Sequence, residues 1–463
     1  MKTRHEILLG ILFFALAVHA FILYSYQYVW WDSGVYIAMA KHLYSYGHSG
    51  FWENIRPPLL PILMGPLWLL YLPFPLFARV FVVFFSMGSL LLTYRIGKQL
   101  FNWQTGLIAC ALLAASNTYL FVGSQVLSDV PSIFLSLLGV YLLLQEYDFL
   151  SGLCIGFAFL TRFPQGFILV TASFYLFILW IRHQETFSRA FKRGVRVVSG
   201  FVIPAGIYLI TNKVFFQSYF GPLQKAMEIV RTAPPNFVDV KFFYLTHLFL
   251  ENILFLFAFI ALYQLLKKKN YAILALLALP VLFYFPYFAL KPSREVRYLL
   301  ILLPYLYLLA ARGLHHTLEK RRRTLFITVL LSMVLGVILL QGWFSIYLTD
   351  FGPYDQHEYQ EVLTQYYPLV NQSYVLTSNP SVAAFTDHKI LVMYRMPFDE
   401  AYGKYFRRTD VKYAYLNECD LQCPEGNERC VKDREEFIGF MTHNNLLLNK
   451  TFGRCRYYVI KKV

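Results

Sequence analysis

Residues 30–58 read WWDSGVYIAMAKHLYSYGHSGFWENIRPP and follow directly on the first hydrophobic run of the chain. Val35, Met39, His42, Leu43 and Tyr46 recur at helical spacing, with Lys41, Tyr44 and Ser45 between them. Asp32-Ser33 supplies an N-cap signal ahead of them. A short helix lying in the membrane interface is therefore expected, broken at Gly47 and Gly50. Pro57-Pro58 can open a second helix, because a proline at the first helical position forfeits no hydrogen bond. Glu53 and Arg56 then sit between two interfacial helices, on the same side as Asp32.

The surroundings of this loop are lipid-like. Of 463 residues, 57% are hydrophobic and 19% aromatic, and the mean hydropathy is +0.47. Those values belong to a multi-pass membrane protein. The net charge of +15 would suit a nucleic-acid binder, but its distribution excludes one. Residues 1–349 hold 28 Lys and Arg against 12 Asp and Glu, whereas residues 350–463 hold 14 against 15. The basicity thus marks topology.

Apolar runs fall near 7–24, 77–94, 106–122, 130–145, 149–161, 165–181, 197–212, 245–266, 271–289, 297–311 and 324–347, so eleven spans are expected. The first run lacks a small-residue cleavage site at Tyr24-Ser25-Tyr26 and reads as an uncleaved anchor. The run from Leu59 to Leu72, with Pro61 and Pro66 inside, suits a re-entrant or interfacial helix. With a cytoplasmic N-terminus this count puts 17 of the 28 basic residues inside. The loop of Asp32, Asp129, Arg162, loop 213–244, Lys291 to Arg297 and the tail then all face the extracytoplasmic side, of a plasma or ER-type membrane.

Two domains follow, a membrane domain over 1–348 and a small α/β domain over 349–463. In the tail, Tyr374–Thr377, Ile390–Tyr394, Lys412–Leu416 and Arg456–Ile460 read as strands, Asn379-Pro380 caps one helix and Pro397–Arg408 suggests another. Asn371 and Asn449 head acceptor sequons. Cys419, Cys423, Cys430 and Cys455 also lie there, in an oxidising compartment, and are expected to form two disulfides in one of three pairings.

Asp32, flanked by Trp30 and Trp31, is partly desolvated and suits a general base taking a proton from a hydroxyl. Its simpler role is to cap the helix. Asp129, beside Val130-Pro131, is either a second cap or a second catalytic acid. Glu53, with His48 or His42, is a candidate metal ligand. Arg294 and Arg297 can fork onto phosphate oxygens, with Arg56, Arg162, Lys291, Tyr298 and Tyr36 as further substrate-binding candidates. Their simpler role is snorkelling at helix ends.

WDSGVYIAMAKHLYSYG, RPPLLPIL and RYLLILLPYLYLLAARGL, with LSDVPSIFLSLLGVYLLL and SGLCIGFAFLTRFPQGFIL, together resemble the GT-C superfamily of polyprenyl-phosphate-sugar-dependent glycosyltransferases. Within it they are most similar to the protein O-mannosyltransferases and the aminoarabinose transferases of lipid A. The resemblance covers about residues 5–315. It implies a GT-C fold, a sugar donor on dolichyl or undecaprenyl phosphate, and an inverting transfer to a protein, lipid or glycan acceptor. It maps the acid of the first loop onto Asp32, the acid after the third span onto Asp129, the basic residue before Pro-Pro onto Arg56, and the Arg before Tyr onto Arg297. Many relatives carry Asp-Glu where this chain has Asp32-Ser33, and an acid where Ile55 stands, so a metal ligand at that place falls to Glu53. No cofactor is required, because a lipid phosphate rather than a nucleoside diphosphate departs, and a divalent metal is optional. The rival readings are a transporter or flippase of a lipid-linked or anionic solute, and an oligosaccharide transferase or polymerase.

Overall fold

The computed structural model describes residues 2–26, 28–232, 242–291, 294–318, 336, 374–393, 408–421, 423, 428–443, 445–452 and 455–462. Its helices are α1 (Lys2–Ser25), α2 (Trp31–Tyr44), α3 (Leu59–Leu69), α4 (Phe74–Leu100), α5 (Trp103–Ala114), α6 (Asn117–Val122), α7 (Asp129–Leu144), α8 (Asp148–Thr161), α9 (Phe167–Ile181), α10 (Phe187–Phe216), α11 (Gly221–Thr232), α12 (Phe243–Glu251), α13 (Phe257–Lys267), α14 (Tyr271–Ala289) and α15 (Leu303–Leu318). Near the C-terminus stand β1 (Tyr374–Thr377), β2 (Lys389–Val392), β3 (Val411–Asn417), α16 (Glu428–Thr442), β4 (Asn445–Phe452) and β5 (Cys455–Lys461).

Five helices are long and apolar enough to cross a membrane: His5–Ser25, Phe74–Leu100, Phe163–Ile181, Phe187–Phe216 and Tyr271–Ala289. The protein is a multi-pass membrane protein. The expected span 245–266 is a bent pair instead, α12 and Ile253–Lys267 meeting at 107°. The bend has a local cause. Asn252 is extended, and its side-chain oxygen accepts from the Leu254 N–H at 3.0 Å, so the helix stops and restarts there. The expected spans at 106–122, 130–145 and 149–161 hold apolar helices of 10–17 residues. So does Leu59–Leu69, the re-entrant candidate. Run 324–347 lies outside the described residues except for Gly336, as does the proposed helix Pro397–Arg408 except for Arg408.

The contacts divide the chain into two compact units. The first comprises Met1–Tyr24, Asn54–Leu60 and Val80–Gly342. At one end of its helices Arg193 of α10 pairs with Asp148 at 3.0 Å and with Glu185, and donates to the Leu143 carbonyl at 2.9 Å. Arg189 pairs with Glu146 at 2.7 Å. These two arginines fasten α10 to the start of α8.

The second unit comprises Ser25–Glu53, Pro61–Arg79 and Trp343–Val463. Its sheet has the order β2-β1-β3-β5-β4, with β2, β1 and β3 parallel and β5 antiparallel to β3 and β4. Leu376, Val411, Ala414, Leu416 and Ile460 pack with Phe437 and Met441 of α16 into its core. All four expected strands are present, and Asn379 caps Pro380–Ala384 by accepting from the Ser381 N–H at 2.9 Å. Strand β4 is a finding beyond them. Its run NLLLNKTF lacks the polar alternation that marks a half-buried strand, and it forms by pairing with β5 in a hairpin.

The disulfides join Cys419 to Cys455 and Cys423 to Cys430. Closing a 36-residue separation removes more chain entropy than closing one of seven. Cys419→Ser is expected to cost the tail about 4 kcal/mol and Cys430→Ser about 2 kcal/mol. Urea unfolding followed by trypsin cleavage of the tail measures both, and an equal loss from the two would contradict the loop-length argument.

Two expectations for the first loop change. Helix α2 starts at Trp31, its N-cap is Trp30 without a side-chain bond, and Asp32 lies in the first turn. Asp32 is therefore not the cap residue. Nor is α2 amphipathic, because Ser33 through Lys41 are buried without a break. Part of that cover comes from the tail. The face of α2 carrying Gly34 lies against Pro380 and Ser381, so close that an added Cβ would stand 2.6 Å from the Pro380 carbonyl carbon.

Candidate active site

In the first unit the 3-10 turn Val296–Ile301 presents Arg297 and Tyr298 beside the end of α14. The ring of Tyr298 stacks on Phe288 at 5.0 Å and 18°, which fixes it as a platform. Three cations gather on that platform. The Lys291 ammonium lies 4.8 Å from the Tyr298 centroid, 4.8 Å from Tyr287 and 5.0 Å from Phe288. The guanidinium of Arg162 stands 5.4 Å from the Tyr298 centroid and that of Arg297 5.8 Å.

Two carboxylates partly balance them. Asp129, fully buried in the first turn of α7, lies 3.0 Å from Arg162 Nη1, whose own side chain is 14% exposed. Arg297 pairs with Glu295, which also accepts from the Tyr298 hydroxyl at 3.2 Å. Among the described residues, three cations and two carboxylates thus gather around one aromatic platform. Burial and the neighbouring Arg162 together push Lys291 down from the ordinary 10.5 to about 8, against the pull of Glu295.

Five expected residues, Asp129, Arg162, Lys291, Arg297 and Tyr298, thus meet around one aromatic platform. Arg294 is next along the same loop. Arg56 belongs to this unit too. Leu59, three residues on, packs with Leu160, Phe163 and Tyr208, bringing the chain to the end of α8 from which Arg162 projects. Asp32, Tyr36, His48 and Glu53 are carried by the second unit. Tyr36 is buried there, and His48 is exposed. Asp129 does not cap through its side chain, and its carboxylate faces Arg162. Among the described residues no three His, Cys, Asp or Glu side chains come together as a metal site, and Glu53 is in no such group.

One buried acid was not singled out in the sequence. Glu251, at the α12–α13 bend, accepts from the hydroxyls of Ser116 and Thr118, the latter at 2.5 Å, and so tethers the bend to the break between α5 and α6. Its position inside an apparently continuous apolar run concealed it. The hidden signal was the pair Glu251-Asn252, two polar residues together mid-run.

The comparisons with known proteins fit this geometry. Residues 57–208, about a third of the chain, match the family model described as dolichyl-phosphate-mannose-protein mannosyltransferase. No curated protein sequence matches. Among solved structures, ArnT from Cupriavidus metallidurans bound to undecaprenyl phosphate superposes with a TM-score of 0.71 at 11% identity, over 97% of each chain.

The chain has the GT-C fold.

The same GT-C arrangement recurs more distantly in the Archaeoglobus fulgidus oligosaccharyltransferase AglB, in complex with an inhibitory peptide and a dolichol-phosphate. That match has a TM-score of 0.56 at 14% identity and covers 89% of this chain and 69% of AglB. The apo state of the same ArnT gives a TM-score of 0.67. The segment matched by the family model begins at Pro57 and runs through Asp129 and Arg162 to Tyr208, so it contains the ion pair but neither Asp32 nor the Lys291–Tyr298 loop.

Proposed function

We propose that this protein is an integral-membrane glycosyltransferase that moves a monosaccharide from a polyprenyl phosphate to an extracytoplasmic acceptor. The observation that carries this reading is the convergence of the Arg162, Lys291 and Arg297 side chains on the Tyr298 platform within a GT-C fold. A phosphodiester donor brings one negative charge, and its phosphate gains another as the sugar leaves. Cations held in place before the reaction stabilise that growing charge most where water is scarce.

The proposed chemistry is a single displacement. The acceptor oxygen attacks the anomeric carbon, and its proton passes to Asp32. The bond from that carbon to the phosphate oxygen breaks, and its electron pair stays with the lipid phosphate, held by Arg297, Arg162 and Lys291 with Arg294 or Arg56 beside them. One displacement inverts the anomeric centre. Because a lipid phosphate is a good leaving group once neutralised by arginines, the step needs no metal. The acceptor class is protein, lipid or glycan.

Purified protein offered radiolabelled polyprenyl-phosphate-hexose or -pentose and a panel of acceptors is expected to release free polyprenyl phosphate and label an acceptor. Movement of the intact donor across a vesicle bilayer without release of the phosphate would establish the flippase instead.

Lys291 adds a pH signature. kcat/KM for the donor is expected to fall as pH rises through about 8, where the amine sheds its proton and stops attracting phosphate. Lys291→Arg, which stays charged, should remove that alkaline limb. An unchanged limb in this variant would take Lys291 out of donor binding.

A further inference from the structure

The Lys41 ammonium is buried to 3% exposure, where an unpaired charge is costly. It donates to the Thr386 carbonyl at 2.9 Å and lies 2.8 Å from Asp387, whose side chain is half-exposed. Burial alone pulls the lysine below its ordinary range, and Asp387 opposes that pull. Trp68 donates to the same carboxylate at 3.1 Å. Further along the loop, Gly50 joins the sheet edge. Its N–H donates to the His388 carbonyl at 2.8 Å, its carbonyl accepts from Ile390 at 3.0 Å, and it forms a parallel bridge with Lys389. With φ at +63° and the Ala38 backbone against it, only glycine fits there.

Helix geometry converts these contacts into an orientation. At 100° per residue, Gly34 and Lys41 are about 20° apart on one face, and both meet the segment Pro380–Asp387. Asp32 is nine residues before Lys41, so it lies about 180° round the helix and about 13 Å along it. The tail grips α2 at both ends of one face and leaves the Asp32 face turned away from the grip.

We propose that Asp387 is a positioning residue, whose ion pair with Lys41 sets the roll of α2 and so aims Asp32 at the acceptor hydroxyl. The inference rests on the transferase reading for its consequence, but the latch itself is testable without substrate. A carboxylate held within a small fraction of an ångström of its target works far better than one free to swing.

Asp387→Asn keeps an oxygen for Trp68 and removes the charge. Amide exchange over residues 33–41 is expected to rise at least tenfold in this variant, while exchange in β3 and β5 stays as in the unaltered protein. kcat should fall about tenfold with donor KM within twofold, and Asp387→Glu should restore most of both. Unchanged exchange over residues 33–41 overturns the latch. Raised exchange with unchanged kcat overturns the positioning role. If the unaltered protein transfers no sugar, the transferase reading fails by that result, and the exchange measurement still decides whether the latch exists.

Discussion

Asp32→Asn is expected to lower kcat by about 10³-fold while leaving donor KM within a few-fold of the unaltered protein. General-base assistance contributes about 10² to 10⁴ in rate, and asparagine has the carboxylate's shape without its basicity. Donor affinity should survive because the cations proposed to hold the phosphate, Arg162, Lys291 and Arg297, belong to other parts of the chain. The measurement is steady-state release of polyprenyl phosphate from a labelled donor, with thermal unfolding alongside. Asp32 lies in the first turn of α2 and is not its N-cap, so the unfolding temperature separates loss of a base from loss of a structural contact. Activity within threefold of normal would remove Asp32 as the base. Loss of activity with a matching loss of stability would make it structural.

Arg162→Met should have the largest effect on stability, about 3–5 kcal/mol. The substitution leaves the carboxylate of Asp129 buried without its counter-charge, and removing one member of a buried pair costs far more than the pair itself contributes. The double variant Asp129→Asn with Arg162→Met should recover most of the loss, as a double-mutant cycle would register in urea midpoints. Donor KM distinguishes two uses of the arginine. If Arg162 also attracts phosphate, the double variant regains stability but keeps a raised KM. If KM returns to normal with stability, Arg162 exists for Asp129 alone and leaves the donor to Lys291 and Arg297. A double variant as unstable as Arg162→Met would contradict the pairing.

Sequence and structure agree best where local signals suffice. Asp129, Arg162, Lys291 and Arg297 could each be picked out because a charge at the end of an apolar run is expensive and therefore rarely idle. Four of the five strands follow from short β-branched and aromatic runs. What the sequence withheld is contact between distant segments. Lys41 read only as a polar position between the apolar ones of an interfacial helix. Its partner Asp387 lies 346 positions later, and nothing local to either residue announces the other. Glu251 was passed over for a similar reason, since the hydroxyls of Ser116 and Thr118 that satisfy it come from another helix break. The α12–α13 bend was missed because hydropathy averages over direction and an apolar run reads alike whether straight or bent.

The bridge between Gly50 and Lys389 sets a schedule for biosynthesis. The early loop emerges from the ribosome long before the strand that clasps it. At ~5–20 residues per second, about 340 residues of further synthesis correspond to roughly 20 to 70 seconds of waiting. Through that interval the nascent helix has no Asp387 for its lysine and no sheet edge for its glycine. A chaperone that shelters the early loop would act on the protein during that delay, whereas a premature stop codon ahead of residue 390 would leave the loop without its partner strand altogether.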